Sequence, residues 1–381
     1  MSNALYGDRG FFVSGAGPAA HFRTSAHAVP VLAAALLRLL DRLDTALGRP
    51  DPLDVVDVGA GRGELLGTMA RLAPPGLADR LRLTAVELAP RPDTVPATVG
   101  WRADLPERIV GLLVATEWLD NIPLDVAERG PGGWRRILVD PVSGVESVGA
   151  PLDPAESEWL TRWWPPAGRG SERPAGPRTT EPTTTEPPAT EPPEWLEPPE
   201  ELGTAEGLGA AEGLGAERPV AGRGEIGLPR DAAWTAAVRS VHRGLALAVE
   251  YGHLREERPH SGTLTGFRAG RQVEPVPDGS CDLTAHVAMD SVAAAGTAVA
   301  GLPYTLVDQR RALRALGADG RRPGLALATT DPGGYVRALA RASTAAELTD
   351  PAGLGGHWWL LQPIGIDLDL GSLSGPGDRT S

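Results

Sequence analysis

The sequence predicts an α/β fold: a Rossmann-like sheet of mostly parallel strands with helices on both faces. Three observations carry that expectation. Apolar runs of strand length, Leu53–Val58, Leu81–Leu88, Ile109–Thr116 and Ala246–Tyr251, alternate with helix-period segments, and such alternation marks βαβ units around a parallel sheet. A glycine-rich turn, Gly59–Gly63, lies between the first of those runs and a helix. The chain has 381 residues, 41% of them hydrophobic and 22% charged, which is enough to bury a substantial core.

Element by element, residues 26–47 carry Leu32, Leu36, Leu39, Leu40, Leu43 and Leu47 at helical spacing, with Arg38, Asp41, Arg42 and Asp44 between them. This is an amphipathic helix that packs on a core, and Pro50 and Pro52 stop it. The strand Leu53–Val58, the glycines and a helix over 64–72 follow. Leu81–Leu88 and Ile109–Thr116 are further strands, and Trp134–Val139 is part of a hairpin. Beyond the middle of the chain, the pattern predicts a helix over 230–245, the strand Ala246–Tyr251, helices over 285–299 and 308–316, and a late strand, Trp358–Gln362. Between these halves the pattern collapses. Residues 165–224 are rich in Pro, Thr, Glu and Gly (TTEPTTTEPPATEPPEWLEPPE, then AEGLGAAEGLGAE), and cannot bury enough apolar area to offset the entropy of ordering. The expectation is one domain, 1–164 with 225–370, interrupted by a disordered acidic insertion and ended by a flexible tail, 371–381. Trp195 and Leu196 offer the insertion a partner-binding reading beside that of a solvated linker.

The net charge of -13 speaks against a general nucleic-acid or anionic-membrane binder. Twelve Glu, no Asp and five Arg from Pro165 to Glu225 place -7 of it in this stretch, so the rest is only mildly acidic. All 36 Lys+Arg residues are arginine. Without lysine there is no Schiff base to pyridoxal phosphate, no lysine aldolase and no Walker-type P-loop. Cys281 is the single cysteine, which excludes an internal disulfide or a cysteine metal cluster. The histidines form no HxH or HExxH pattern, so no metal site is expected. MSNALYGDRG lacks the regions of a signal peptide, and the apolar run Val29–Leu37 is too short to span a bilayer. A cytoplasmic location is the expectation.

The motif VVDVGAGRGELL sets Gly59, Gly61 and Gly63 after a strand and before a helix, where glycine permits positive φ and close approach to a ligand. A dinucleotide fingerprint wants Gly or Ala where this chain has Glu64. A carboxylate at a helix N-terminus repels a pyrophosphate but tolerates the sulfonium and ammonium of S-adenosylmethionine. Glu87 ends the next strand, 24 residues past Gly63, where an acid can accept both ribose hydroxyls. An ordinary strand-end charge is the bland alternative. Asp57, inside a strand, would be costly unpaired; binding the cofactor's amino group and buttressing the glycine loop both account for it. Asp104, in WRADLP, is a candidate for the adenine amino group or a plain loop aspartate.

With these blocks in view, ATEWLDNIPLDV (115–126) resembles the NE-x-LDA-x-P-V block of the MidA-type methyltransferases, which include the mitochondrial complex I assembly methyltransferase. HFRTSAH (21–27) resembles the family's GDF-x-TSPE. EYGHLREERPHSGTLTGFRAG (250–270) with DLTAHVAMD (282–290) resembles DYG … GTLR-x-Y … D-[IL]-TAHVDF, and HWWLLQPIG (357–365) resembles F-x-VLIQP. The resemblance covers essentially the whole chain outside the insertion. It implies a class I methyltransferase sheet with one late antiparallel strand, S-adenosylmethionine as cofactor, and a protein arginine as acceptor. The chain departs from the pattern at Thr116, Asn121, His27 and Glu250, where the family has Asn, Ala, an acid and Asp; those at Thr116 and His27 put the substrate in question.

Methyl transfer needs alignment, desolvation and, where the nucleophile loses a proton, a base. A guanidinium is held best by carboxylates that accept its forked donors. Glu117 follows the fourth strand, at the carboxyl-end crevice where such sheets bind ligands, and is the residue expected to orient a substrate, with Asp120 supporting it or capping a short helix. His286 is a candidate base or substrate contact beside a structural reading, and Asp282 or Thr284 resembles an N-cap before the 285–299 helix. Thr24, Ser25, Tyr251 and Gly252 are weaker candidates, and the tryptophans read as packing. The competing readings are an NAD-type oxidoreductase, disfavoured by Glu64 and by the absence of a Tyr–Lys pair; a non-catalytic assembly factor that binds the cofactor and a partner; and a methyltransferase of small molecules.

Overall fold

In the computed structural model, whose described residues are 1–7, 10–14, 25–165, 222–371, 373 and 379–380, the strand–helix alternation becomes an eight-stranded sheet. The chain enters through α1 (Ser2–Tyr6), α2 (Phe11–Ser14) and α3 (Ser25–Leu47). It continues through β1 (Leu53–Val58), α4 (Glu64–Leu72), α5 (Pro75–Ala78), β2 (Leu81–Val86), β3 (Val99–Arg102) and β4 (Ile109–Thr116). An antiparallel excursion follows: β5 (Asp125–Gly130), β6 (Gly133–Val139), β7 (Glu146–Pro151), α6 (Pro154–Trp163) and β8 (Arg223–Ile226). The chain returns to the main sheet through α7 (Leu228–Ser240) and β9 (Val241–Glu250). A second excursion holds β10 (Gly252–His253), β11 (Thr265–Arg268), β12 (Arg271–Val273), β13 (Asp282–Thr284) and β14 (Val287–Ala288). The last elements are α8 (Met289–Ala300), β15 (Thr305–Asp308), α9 (Gln309–Ala315), α10 (Leu325–Thr330), α11 (Pro332–Leu348), β16 (Trp358–Ile364) and β17 (Arg379–Thr380).

The main sheet runs β17-β15-β16-β9-β4-β1-β2-β3. β3, β2, β1, β4 and β9 are mutually parallel, and the late strand β16 is inserted antiparallel between β9 and β15. Because side chains alternate across a strand, a sheet covered on both faces needs both sets apolar. β1 is buried along its whole length. Val55 joins the core of Leu36, Leu39, Leu40 and Leu43 from α3, while Val56 and Val58 join that of Trp234 from α7 and Val292 from α8. Two helical layers therefore cover the sheet. Met1–Pro165 and Gly222–Ser381 fall in one compact unit.

Four local expectations are corrected. The helix expected over 230–245 ends at Ser240, and β9 starts at Val241; pairing with β4 from Ile109 onward wins over helical propensity there. Residues 282–288 are two short strands, so neither Asp282 nor Thr284 caps a helix, and Ala288 precedes α8. Arg223 and Gly224, placed in the insertion, pair with Glu128 and Ala127 of β5. Arg379–Thr380, placed in a flexible tail, pair with β15, since an edge strand offers unsatisfied backbone groups. The remainder of the insertion from residue 166 to 221, Trp195 and Leu196 included, and Thr24 lie outside the described residues, as do the side chains of Ser25 and His27. Among the described residues no helix is long and apolar enough to cross a membrane.

Candidate active site

The strand order reverses at β1, and the carboxyl ends of β1, β2, β4 and β9 converge there. At the end of β1, Gly59, Gly61 and Gly63 have φ of 72°, 56° and 75°, all left-handed. Gly59 also lies under Trp118: a Cβ would stand 2.9 Å from its ring. The Gly61 side is open, with nothing within 4 Å of a Cβ, so the loop presents bare backbone to a ligand. Glu87 directly follows β2 and locks this loop, because its Oε2 accepts from the Gly61 amide at 3.0 Å while Oε1 accepts from Ala89 at 3.0 Å. Asp57 is buried, and desolvation, then Glu87 and Glu64, push its carboxyl up to about 8. Asp104 lies exposed in the bend after β3.

Three acids thus face the loop, and a cationic sulfonium and ammonium suit them where a pyrophosphate does not. The residues present fit S-adenosylmethionine: Glu87 for the ribose hydroxyls, the glycine amides for close backbone approach, and Asp57 for the amino group or, through the loop, for its support.

Across the crevice, β4 ends at Thr116 and the backbone turns through Glu117, whose φ is +49°. A side chain in that region costs about 1 kcal/mol or more, and the Glu117 amide is held by the Val249 carbonyl of β9 at 2.9 Å. The carboxyl is solvent-accessible, yet desolvation in the recess raises its pKa. Both are properties of a group facing a cleft. Asp120 caps no helix. It is buried, its Oδ2 accepts from the Tyr251 hydroxyl at 2.6 Å and the Thr284 hydroxyl at 2.9 Å, and its Oδ1 accepts from Asn121 Nδ2 at 3.1 Å. Desolvation raises it to about 6, and the Tyr251 hydrogen bond works against the rise. The structure therefore brings Glu117, Asp120 and the 282–286 segment together. The His286 ring stands edge-on to Tyr251, centroids 5.2 Å apart, and burial lowers its pKa, so it is neutral.

Four residues that the sequence reading did not single out for the site complete it. Arg230 is 1% exposed and donates to carbonyls only: Asp120 at 2.8 Å, Ala285 and His286 at 3.0 Å, Ile122 at 3.2 Å. It joins the loop after β4 to the segment after β13. Glu250, noted only as a departure from a family pattern, ends β9; its Oε1 accepts from the Trp118 and Leu119 amides at 2.8 and 2.7 Å, shaping the turn behind Glu117. Tyr6 of α1 donates to the Asn121 carbonyl at 3.2 Å, and its pKa is raised by burial and then by Asp120, Glu87 and Asp282. It therefore stands between the two acidic groups. His357, edge-on to Tyr251 at 5.7 Å, is a second neutral imidazole. No spacing signal pointed to Tyr6 or Arg230. Among the described residues no three His, Cys, Asp or Glu side chains are grouped as metal ligands.

These charges set a pH dependence of stability. Asp57 at about 8, Asp282 at about 7 and Asp120 at about 6 hold their protons more tightly folded than at the ordinary 3.8. Their contribution is complete below the unfolded pKa and is lost as pH rises through 6 to 8. His253, lowered to about 3, with His286 and His357, runs the other way, losing stability as pH falls below 6.5. The melting temperature of the ligand-free protein is expected to rise as pH falls from 8.5 to about 6.5, a range in which the raised acids titrate and the histidines stay neutral in both states. A melting temperature highest above pH 8 would contradict these assignments.

A family model described as "Putative S-adenosyl-L-methionine-dependent methyltransferase" matches residues 31–306. No curated protein matches the sequence. The fold is similar to that of a Burkholderia thailandensis "likely methyl transferase" bound to S-adenosyl-homocysteine, with TM-score 0.69 and 22% identity over 100% of this chain and 90% of that one. It is similar as well to a native crystal structure of an uncharacterized B. thailandensis protein of the same superfamily, with TM-score 0.68 and 22% identity over 100% and 89% of the two chains. At that identity the structural likeness shows the fold. The family match spans well over half of the chain and takes in β1, the glycine loop, Glu87, Glu117, Asp120 and β13. The chain belongs to this family of S-adenosyl-L-methionine-dependent methyltransferases, and S-adenosylmethionine is its cofactor.

Proposed function

We propose that the enzyme methylates a cationic nitrogen, the arginine side chain of a protein being the preferred acceptor. One observation carries this reading. Glu117, Asp120, Glu250 and Asp282 gather where β4, β9 and β13 meet, Glu117 raising the pKa of the other three and Asp120 that of Glu250 and Asp282, while the nearby Arg230 gives its hydrogen bonds to backbone carbonyls and its single charge offsets only part of theirs. The recess is left negative, and a guanidinium is a complementary occupant. A neutral or anionic acceptor would leave buried acids without compensation.

S-adenosylmethionine, when bound, supplies an electrophilic methyl group. The chain's own residues align and desolvate the acceptor. Glu117, accessible at the recess mouth, accepts forked N–H donors; Asp120, fixed by Tyr251, Thr284 and Asn121, orients the acceptor from behind. Tyr6 and the neutral rings of His286 and His357 exclude water from the recess without adding positive charge.

The test is mass spectrometry of lysate proteins from cells with and without the enzyme, which is expected to find methylarginine lost in its absence. Methylation lost instead from a neutral acceptor would refute the reading. Glu117→Gly separates site from scaffold. Relief of the left-handed backbone should leave the melting temperature unchanged or raised, while KM for the acceptor rises about tenfold from the lost charged hydrogen bond. An unchanged KM would remove Glu117 from the acceptor site.

A further inference from the structure

Asp282 lies on β13, two residues before Thr284, so strand alternation turns both side chains to one face. Thr284 donates to Asp120 Oδ2 at 2.9 Å, which fixes that face as the one toward the acceptor recess. Asp120 and Glu117 both raise the Asp282 carboxyl electrostatically, and Asp282 in turn acts on Tyr6. The residue is 5% exposed, and its Oδ1 has no hydrogen-bond partner among the described residues. A buried acceptor oxygen left open costs free energy unless something else fills it.

The other three carboxylates are placed differently. Both oxygens of Asp120 accept hydrogen bonds. Glu250 is 0% exposed and braces two amides through Oε1 behind the turn; its Oε2 is also without a partner among the described residues, but it is walled off from solvent, and burial raises its carboxyl well above the usual range. Glu117 stands at the solvent-accessible mouth.

We infer that Asp282 is the group that accepts the proton released by the acceptor nitrogen, an assignment that rests on the cationic-acceptor reading above. The new N–C bond forms as the C–S bond of the methyl donor breaks, with the C–S electron pair staying on sulfur. The acceptor nitrogen gives up one proton, Asp282 Oδ1 takes it and becomes a neutral carboxylic acid, and the proton then passes to water. Burial, with Asp120 next, lifts this carboxyl to about 7, where a base has both an ionised fraction and proton affinity.

The experiment pairs Asp282→Asn with the wild type. First, agmatine is titrated into the S-adenosylhomocysteine-loaded enzyme by calorimetry at pH 7, in two buffers of different ionisation enthalpy. The wild type is expected to release a fraction of a proton as the bound cation drives Asp282 to ionise. Asp282→Asn is expected to bind agmatine within about tenfold and to lose most of that release. Second, radiolabelled methyl transfer into lysate is measured against pH. The wild-type rate should fall as pH drops through about 7, and the variant should lose that limb along with about a hundredfold or more in rate. Wild-type proton release or wild-type turnover in Asp282→Asn overturns the assignment. If agmatine does not bind the wild type, the cationic-acceptor reading fails, and the pH–rate limb still decides whether Asp282 accepts the proton. Should Asp282→Asn not fold, Asp282→Glu is expected to keep the limb at a shifted pH; an unshifted limb counts against Asp282.

Discussion

Arg230→Met is expected to destabilise the fold by about 3–5 kcal/mol and to abolish methyl transfer with it. The guanidinium is almost wholly buried and donates to the carbonyls of Asp120, Ile122, Ala285 and His286. A methionine fills much of the volume but leaves four carbonyls without donors, each costing about 1–3 kcal/mol unless water enters. Burial lowers the Arg230 pKa, yet a guanidinium stays protonated at any pH the enzyme meets. Its charge therefore also offsets Asp120, Glu225 and Glu250, which act on it in that order. Arg230→Lys should rescue little, because an ammonium cannot reach carbonyls on two segments with a planar fork. Denaturant unfolding of both variants, with lysate labelling alongside, checks this. A variant that melts and turns over like the wild type would reduce Arg230 to packing.

Glu87→Ala is expected to weaken S-adenosylmethionine binding about a hundredfold to a thousandfold while the protein stays folded. The two carboxylate oxygens hold the Gly61 and Ala89 amides at 3.0 Å, and in the proposed cofactor site the same oxygens would accept the ribose hydroxyls. Each charged hydrogen bond lost is worth about 1.5–3 kcal/mol. The fold survives because Glu87 is only partly buried and supports no core. Glu87→Gln should fall between, keeping one acceptor oxygen but not the charge. Calorimetric titration of the cofactor is the measurement; an affinity within threefold of wild type would move the ribose site elsewhere.

The elements legible in the sequence were those whose pattern is local and long. β1 and β4 are apolar runs, and α4 follows the glycines, so their bounds coincide with the structure. Glu87 and Glu117 were reachable for the same reason: each is the first polar residue after an apolar strand. Asp282 was misread as a helix cap because a three-residue strand is too short to show alternation, and the helix pattern behind it invited a cap. The end of α7 was placed five residues late because Val241–Leu245 carries no turn signal between helix and strand, and only the pairing of β9 with β4 fixes where the strand begins.

The sequence by itself determined the sheet, the glycine loop with its acids and the class of cofactor, because these rest on backbone conformation and charge within one βαβ unit. Only the tertiary structure decided how the acids divide the acceptor site. Glu117 left accessible, Asp120 bound on both oxygens, Glu250 bracing a turn and Asp282 left open follow from burial and from hydrogen bonds between residues more than a hundred positions apart. The same holds for Arg230 and Tyr6, ordinary residues in the chain that gain a role only when β4, β9, β13 and α1 meet at one end of the sheet.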